Sequence, residues 1–310
     1  MLHLSEDDVR ALLPMPVAVD LLAAAFARWG AGQAQNQPRR RLVLPTGAVL
    51  HQMAAADGAY FGTKIYSTHR TGAHFHCLLY AAEDGRPLAL LEANELGRIR
   101  TGAASGYATR LLAQPEACAA AVIGTGFQAR TQLEALAAVL PLRRVRVWGR
   151  DPERRRRFAE ECSAAFGIGV EPAESAEAAV RDAAVVTTVT SSREPVIEDA
   201  WIGPGVHVNA AGSNQARRRE LPPELVRRAA LIAVDSIEQA RIESGDLLGV
   251  WIDDDWAGPP IVELKDCPGR HGLPGDAVTI FNSLGVAVED VAVAAYVYEQ
   301  ALAQGIGRPL

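Results

Sequence analysis

The chain has 310 residues, 49% hydrophobic and 22% charged, with a formal net charge of −6. That length carries two domains with sizeable cores, and the acidic balance excludes the broad basic footprint of a nucleic-acid-binding protein. No stretch approaches the roughly 18 apolar residues of a membrane span, and the acidic start lacks the basic n-region and apolar core of a signal peptide.

Ser5 followed by Asp8 predicts a helix start, a hydroxyl cap with a carboxylate near the positive end of the dipole. Pro14 and Pro16 break that helix. A second is predicted from about Pro16 to Trp29, with Val17, Leu21, Leu22 and Phe26 at helical spacing and Gly30 and Gly32 at its end. Leu42 to Leu44, Val49 to Met53, Tyr60 to Tyr66, Phe75 to Ala81 and Leu88 to Leu91 read as strands, punctuated by turn residues such as Asp57-Gly58 and Asp84-Gly85. Strands in succession without long helices between them predict an antiparallel or mixed sheet. Arg98 to Leu112 reads as a helix.

From residue 118 the rhythm changes. Strands at Ala119 to Ile123, Val145 to Trp148, Val185 to Thr190, Val206 to Ala210 and Leu231 to Val234 alternate with helices, which predicts a doubly wound parallel sheet. Val286 to Gln304 is an amphipathic helix with Glu289 and Asp290 in its first turn. The fold class is therefore α/β: a Rossmann-like sheet over 116–285, and a mixed α+β domain from 1–115 with 286–310. The short basic runs Arg39 to Arg41, Arg154 to Arg157 and Arg217 to Arg219 read as solvated faces or loops. Cys77, Cys118, Cys162 and Cys267 are scattered with no C-x-x-C pair, which argues against a metal site or a disulfide framework. Three of them sit in apolar or helical settings that suggest buried thiols, and a reducing cytoplasm is the expected home.

Gly124-Thr125-Gly126-Phe127-Gln128-Ala129 follows an apolar strand and opens a helix, in the G-x-G-x-x-A form that holds a dinucleotide pyrophosphate. Gly124 permits the turn, Gly126 lets backbone N–H groups approach the phosphates, and Ala129 lets helix and strand pack closely. The next strand ends Trp148-Gly149-Arg150-Asp151. An acid there bonds the ribose 2′-hydroxyl, whereas a basic residue accommodates a 2′-phosphate. Arg150, with Arg154 one turn on, favours NADP(H) over NAD(H); the alternative is that Asp151 takes the ribose. Thr188, Val189 and Thr190 end a further strand on the same edge, where small hydroxyl residues either face the cofactor or form a turn. Lys64, within an apolar strand, faces either solvent or a ligand. Arg100 precedes the small-residue run Thr101 to Gly106, and a guanidinium at such a run makes a carboxylate clamp.

Over nearly its whole length the chain resembles the ornithine cyclodeaminase/mu-crystallin family. The matching elements are Gln37-Pro38-x-Arg40, the Met53 strand, Phe61-x-x-Lys64, Arg100-Thr101-x-Ala103, Gly124-x-Gly126-x-Gln128-Ala129, Asn209-Ala-x-Gly212, Glu220-Leu221, Val234-Asp235-Ser236 with Gln239, and Thr279-Ile-Phe281-x-Ser283-x-Gly285 with Glu289-Asp290. The resemblance implies a homodimer and NAD(P)-dependent chemistry on a small amino or imino acid. It implies that Arg40 (or Arg41), Lys64 and Arg100 hold the substrate carboxylate, with Met53 in the same site, and it adds Thr101 and Ser283 to the cofactor set.

One departure bears on the reaction. Where the cyclodeaminases and the related alanine dehydrogenases carry an aspartate, this chain has Asn214, and an amide cannot act as a general base at neutral pH. The cyclodeaminase pattern also prefers a glutamate where His51 stands; His51 either donates a proton or lines the site. His76 reads as an ordinary strand residue. The expected activity is reduction of a small cyclic or linear imino acid to the amino acid, or the reverse reaction, with Lys64 also placed to help protonate the nitrogen and Asn214 to bond it. The alternatives are an ornithine cyclodeaminase using Asp235 or His51 as base, and a non-catalytic small-molecule binding protein.

Overall fold

A computed structural model describes residues 1–251, 256, 258–267 and 269–310. It divides into two compact units, Met1–Arg100 with Gly285–Leu310, and Thr101–Leu284. The first division falls inside a helix, ahead of the boundary near 115 that sequence rhythm suggests.

The first unit opens with β1 (Leu2–Leu4), α1 (Glu6–Leu12) and α2 (Met15–Gly30). Ser5 caps α1 in a capping box with Asp8. The buried stripe of α2 runs Met15, Ala18, Val19, Leu22, Ala25 and Phe26. Then come β2 (Ala34–Val43), β3 (Val49–Asp57), β4 (Tyr60–His69), β5 (Gly72–Ala81), β6 (Pro87–Glu92) and α3 (Asn94–Leu112). Seven described strands form one sheet in the order β15-β1-β6-β5-β4-β3-β2, with β15 being Arg308–Pro309 at the chain's end. The β2 to β6 ladders are antiparallel, while β1 joins β6 in parallel, so the sheet is mixed.

β2 begins eight residues before the predicted Leu42, because Ala34 to Gln37 pairs with Ala54 to Asp57 although its own residues are polar. The register of this ladder shifts between Gln37 and Arg40, at Pro38, which cannot donate to a ladder. That bulge decides which arginine turns inward.

The second unit contains β7 (Ala119–Ile123), α4 (Ala129–Val139), β8 (Arg144–Trp148), α5 (Pro152–Phe166), β9 (Gly169–Pro172), α6 (Ala176–Val180), β10 (Val185–Thr188) and β11 (His207–Ala210). It continues through α7 (Pro223–Arg228), β12 (Leu231–Val234), α8 (Ile237–Glu243), α9 (Gly245–Leu248), β13 (Ile261–Glu263) and β14 (Thr279–Asn282). The order is β13-β12-β14-β11-β10-β7-β8-β9, with every pair parallel. Alternate residues feed two cores. Ala120 and Val122 of β7 join α4 and α5, while Ala121 and Ile123 join α6 and α7. β14, fully buried between β11 and β12, carries no predicted strand in the reading above, since its four residues Thr279-Ile-Phe-Asn alternate polar and apolar over too short a span.

The chain then returns to the first unit as α10 (Ala287–Gln304), whose first two turns are wholly buried. It packs on β2, β3, β4, β5 and α2. Its N-terminus has no side-chain cap of its own; Asn36 of β2 supplies one, accepting from the Val288 N–H at 3.1 Å. Cys118 is exposed, contrary to the buried thiol expected there, because it stands in the connection before β7 rather than within the strand; all four cysteines are free.

Candidate functional site

In the first unit, strand alternation places Met53, Lys64 and Cys77 side by side on the buried face through cross-strand pairs of β3, β4 and β5. His51, Tyr66 and Phe75 form the neighbouring rung. Arg39, not Arg40, joins them: the bulge at Pro38 turns Arg39 inward, to 5% exposed, and leaves Arg40 in solvent. Arg41 is half-buried.

Acids from α10 complete the cluster. Asp290 Oδ1 accepts from Lys64 Nζ (2.9 Å) and Arg100 Nε (3.0 Å), and Glu289 Oε2 accepts from Arg100 Nη1 (2.8 Å). Arg39 Nη2 donates to the Gly285 carbonyl (2.9 Å), and its Nε lies 3.4 Å from Met53 Sδ. All five charged groups are buried. Gly285 sits at φ +76°, and a Cβ there would lie 2.4 Å from Arg100 Nη1, so only glycine leaves the guanidinium room. Burial pushes the Lys64 ammonium down, Asp290 opposes this, and Arg100 and Arg39 add to it. Burial also works against the Asp290 carboxylate, but Arg100 and Lys64 hold it below its usual range. Three cationic side chains and two carboxylates thus share one buried face, where each charge needs partners to offset its desolvation.

His51 stacks on Tyr66 with centroids 4.1 Å apart, and Tyr66 stacks on Phe75 at 4.7 Å. Its Nε2 lies 3.0 Å from Thr68 Oγ1. Burial first, then Arg41 and Arg39, lowers its pKa to about 4, so at neutral pH it presents an uncharged imidazole. His76 is exposed on the opposite face.

In the second unit the glycine turn has the shape a pyrophosphate needs. Gly124 adopts φ +118°, and a Cβ there would meet the Val189 carbonyl at 2.4 Å. A Cβ on Gly126 would meet nothing within 4 Å, which leaves open space beside the turn. Phe127 is exposed, Ala129 is fully buried at the start of α4, and Gln128 carries a buried side-chain oxygen with no hydrogen-bond partner. Ser283, after β14, likewise has a buried hydroxyl with no partner. The Gln128 oxygen, without a partner among the described residues at an open glycine turn, fits a polar ligand such as a dinucleotide. Thr101 is buried, and its carbonyl accepts from Gln132.

At the end of β8, Arg150, Asp151 and Arg154 are exposed. Asp151 caps α5, accepting from the Arg154 N–H at 3.1 Å, and Arg154 Nε donates to the Thr125 carbonyl at 2.8 Å. Thr188 and Val189 are buried and Thr190 half-buried at the end of β10. Asn214 lies half-buried in the loop after β11. Asp235 is fully buried and accepts from the Leu284 N–H.

The partners that several of these groups find are not readable from periodicity or spacing. Arg39 is hidden by the bulge. Glu289 and Asp290 look like ordinary dipole partners at a helix start, although two acids opening an otherwise apolar helix are a signal of buried pairing. Glu220, singled out above only as a matching element, accepts from Thr188, Thr190 and Gly212 at the ends of β10 and β11, and Asp246 accepts from its N–H; no spacing in the sequence signals these contacts.

The family model for the ornithine cyclodeaminase/mu-crystallin family matches residues 2–305. This chain belongs to that family. A Δ1-pyrroline-2-carboxylate reductase of Bacillus cereus is 32% identical over 330 residues, covering 100% of this chain and 99% of the relative. The solved Thermococcus litoralis Δ1-pyrroline-2-carboxylate reductase, in complex with NADH and L-proline, superposes with a TM-score of 0.92 at 32% identity over the whole of both chains. An archaeal alanine dehydrogenase dimer with bound NAD gives 0.85 at 30% identity, covering 100% of this chain and 98% of that one. The protein is an NAD(P)-dependent oxidoreductase.

Proposed function

We propose that this oxidoreductase reduces a small cyclic or linear imino acid to the corresponding amino acid. The observation that carries the reading is the buried cluster of Arg39, Lys64 and Arg100 beside Glu289 and Asp290, which gathers three cationic N–H donors of the kind that hold a carboxylate. Arg39 and Arg100 supply forked donors matched to a carboxylate, and Lys64 a compact one. Holding the carboxylate fixes the adjacent C=N carbon, which is a positioning effect on the rate. A bound reduced nicotinamide supplies the hydride. That carbon gains the hydride and the nitrogen gains a proton. Lys64 is the buried N–H donor assigned to deliver it: burial lowers its pKa against the opposing pull of Asp290, which eases release of the proton. Asn214 bonds the nitrogen and takes no proton from it.

Two observations favour reduction over cyclodeamination: the amide at 214, and the engagement of Asp235 with the Leu284 N–H, which leaves it a structural task. His51, uncharged at neutral pH, has no acid step in this scheme and lines the site. The cofactor is NADP(H) in preference to NAD(H), because Arg150 and Arg154 are exposed at the end of β8 while Asp151 is committed to capping α5. The protein works as a homodimer, supported by the exposed Leu42 and Val43 on edge strand β2 and by Phe61 on the outer sheet face. Its free thiols suit a reducing cytoplasm.

Purified protein mixed with a cyclic imino acid and NADPH should consume the reduced nicotinamide's near-ultraviolet absorbance. No turnover across a panel of cyclic and linear imino acids, with either cofactor, would refute the reductase reading. Arg150→Ala should weaken NADPH binding about tenfold and leave NADH within about twofold, the size of one lost phosphate contact.

A further inference from the structure

Glu220 is 1% exposed, yet its carboxylate gathers four hydrogen bonds. Oε1 accepts from the Thr190 N–H (2.6 Å) and the Thr190 hydroxyl (2.7 Å). Oε2 accepts from the Thr188 hydroxyl (3.0 Å) and the Gly212 N–H (2.8 Å). One side chain thus ties the carboxyl ends of the adjacent parallel strands β10 and β11. It is braced in turn: the N–H groups of Glu220 and Leu221 donate to Asp246 Oδ1 (2.7 and 2.9 Å), and Asn282 Nδ2 donates to Asp246 Oδ2 (3.2 Å). The fit is close, since a Cβ on Gly212 would lie 2.3 Å from the Thr190 carbonyl and 2.5 Å from Glu220 Oε1. On its other side the same Thr188–Thr190 segment meets the glycine turn, where the Val189 N–H donates to the Ile123 carbonyl at 2.8 Å.

Topology says which half of the dinucleotide this network serves. The pyrophosphate binds at the turn after β7, and the adenosine ribose reaches the end of β8 on one side of it. The strand order reverses at β7 and β10, so the other half of the ligand lies over the ends of β10 and β11. We infer that Glu220 is a positioning residue for the nicotinamide half of the cofactor, holding Thr188–Thr190 and Gly212 in the geometry which that half binds. Burial and the neighbouring Asp246 push its pKa up to about 7, a cost sustained by the four donors.

The isosteric change Glu220→Gln is a sharp test. Each oxygen accepts from one backbone N–H, so either orientation of the glutamine amide sets an NH₂ group against an N–H that cannot turn away. Affinity is measured on the full chain for two ligands: the intact reduced dinucleotide, and ADP-ribose (or its 2′-phosphate), which lacks the nicotinamide. Glu220→Gln should weaken the intact dinucleotide about tenfold, the scale of a charge-assisted hydrogen bond, and leave the ADP-ribose affinity within about twofold. The KM for dinucleotide should rise in parallel. Equal weakening of both ligands, or no change in either, overturns the inference. Should Glu220→Gln fail to fold, Thr190→Val and Thr188→Val each remove one hydroxyl, and an unchanged ratio of the two affinities in both variants overturns it equally.

Discussion

At the scale of single residues, neighbouring side chains of similar chemistry have opposite fates. Arg39 and Arg40 differ by one position, but one is buried against Met53 and Gly285 and the other is in water. Arg39→Ala should therefore raise the KM for the imino acid at least about tenfold, as loss of a charge-assisted donor to carboxylate requires, with Arg40→Ala within about twofold. Steady-state kinetics on the two variants decides it, and the opposite ranking would put the clamp on the wrong arginine. A second prediction concerns pH. His207 is fully buried between Thr279 and Asn209, and burial lowers its pKa from 6.5 to about 3. The folded protein resists a proton that the unfolded chain accepts, so this stabilisation is complete above about pH 6.5 and is lost as pH falls towards 3. Stability should drop by up to about 1.4 kcal/mol per pH unit in that window from this group. His207→Asn should be less stable at pH 7 but show a shallower acid limb in denaturant titrations; an unchanged slope would mean that His207 is already protonated in the fold.

At the scale of elements, caps and bulges place the chemistry. α5 begins where Asp151 turns the chain out of β8, and that carboxylate accepts from the Arg154 N–H. Asp151→Ala should cost about 1 kcal/mol, measured as a lowered midpoint in thermal or denaturant unfolding, with dinucleotide binding retained. Complete loss of dinucleotide binding without destabilisation would instead give Asp151 to the ribose. α3 and the start of α4 touch so closely that a Cβ on Gly102 would lie 2.4 Å from the Thr131 carbonyl. Gly102→Ala should destabilise by about 1–3 kcal/mol, since backbone cannot yield as a flexible side chain does. The elements legible in the sequence were those with strong periodicity or capping, such as α2, α5, β7 and β8. The first half of β2 has no strand signature because Gln35, Asn36 and Gln37 are polar, and β14 has none because a buried strand of four residues has no period of its own.

For the whole molecule, the open question is what covers the outer face and edge of the first sheet. Leu42 and Val43 are 60% and 66% exposed, and the partly exposed Phe61 stacks on Tyr80 at 5.1 Å. Sedimentation should show a dimer, and the double change Leu42→Glu with Phe61→Glu should yield monomers that keep dinucleotide binding. A monomeric parent protein would remove the homodimer from the proposal.

Local chemistry alone determined the change from a run of strands to alternating strands and helices and the glycine turn from Gly124 to Ala129, because periodicity and turn residues act over a few neighbours; the joint role of Lys64 and Arg100 came only with the family resemblance. The family membership was legible for the same reason, carried by short motifs in a set order. Only the tertiary structure decided which arginine joins Lys64, that Glu289 and Asp290 from the far end of the chain accept from Lys64 and Arg100, and that Glu220 binds two strand ends together. Those facts depend on a bulge, on a helix that returns across nearly the whole chain, and on parallel strands brought side by side by crossovers. A linear sequence fixes none of these contacts until the chain has folded over itself.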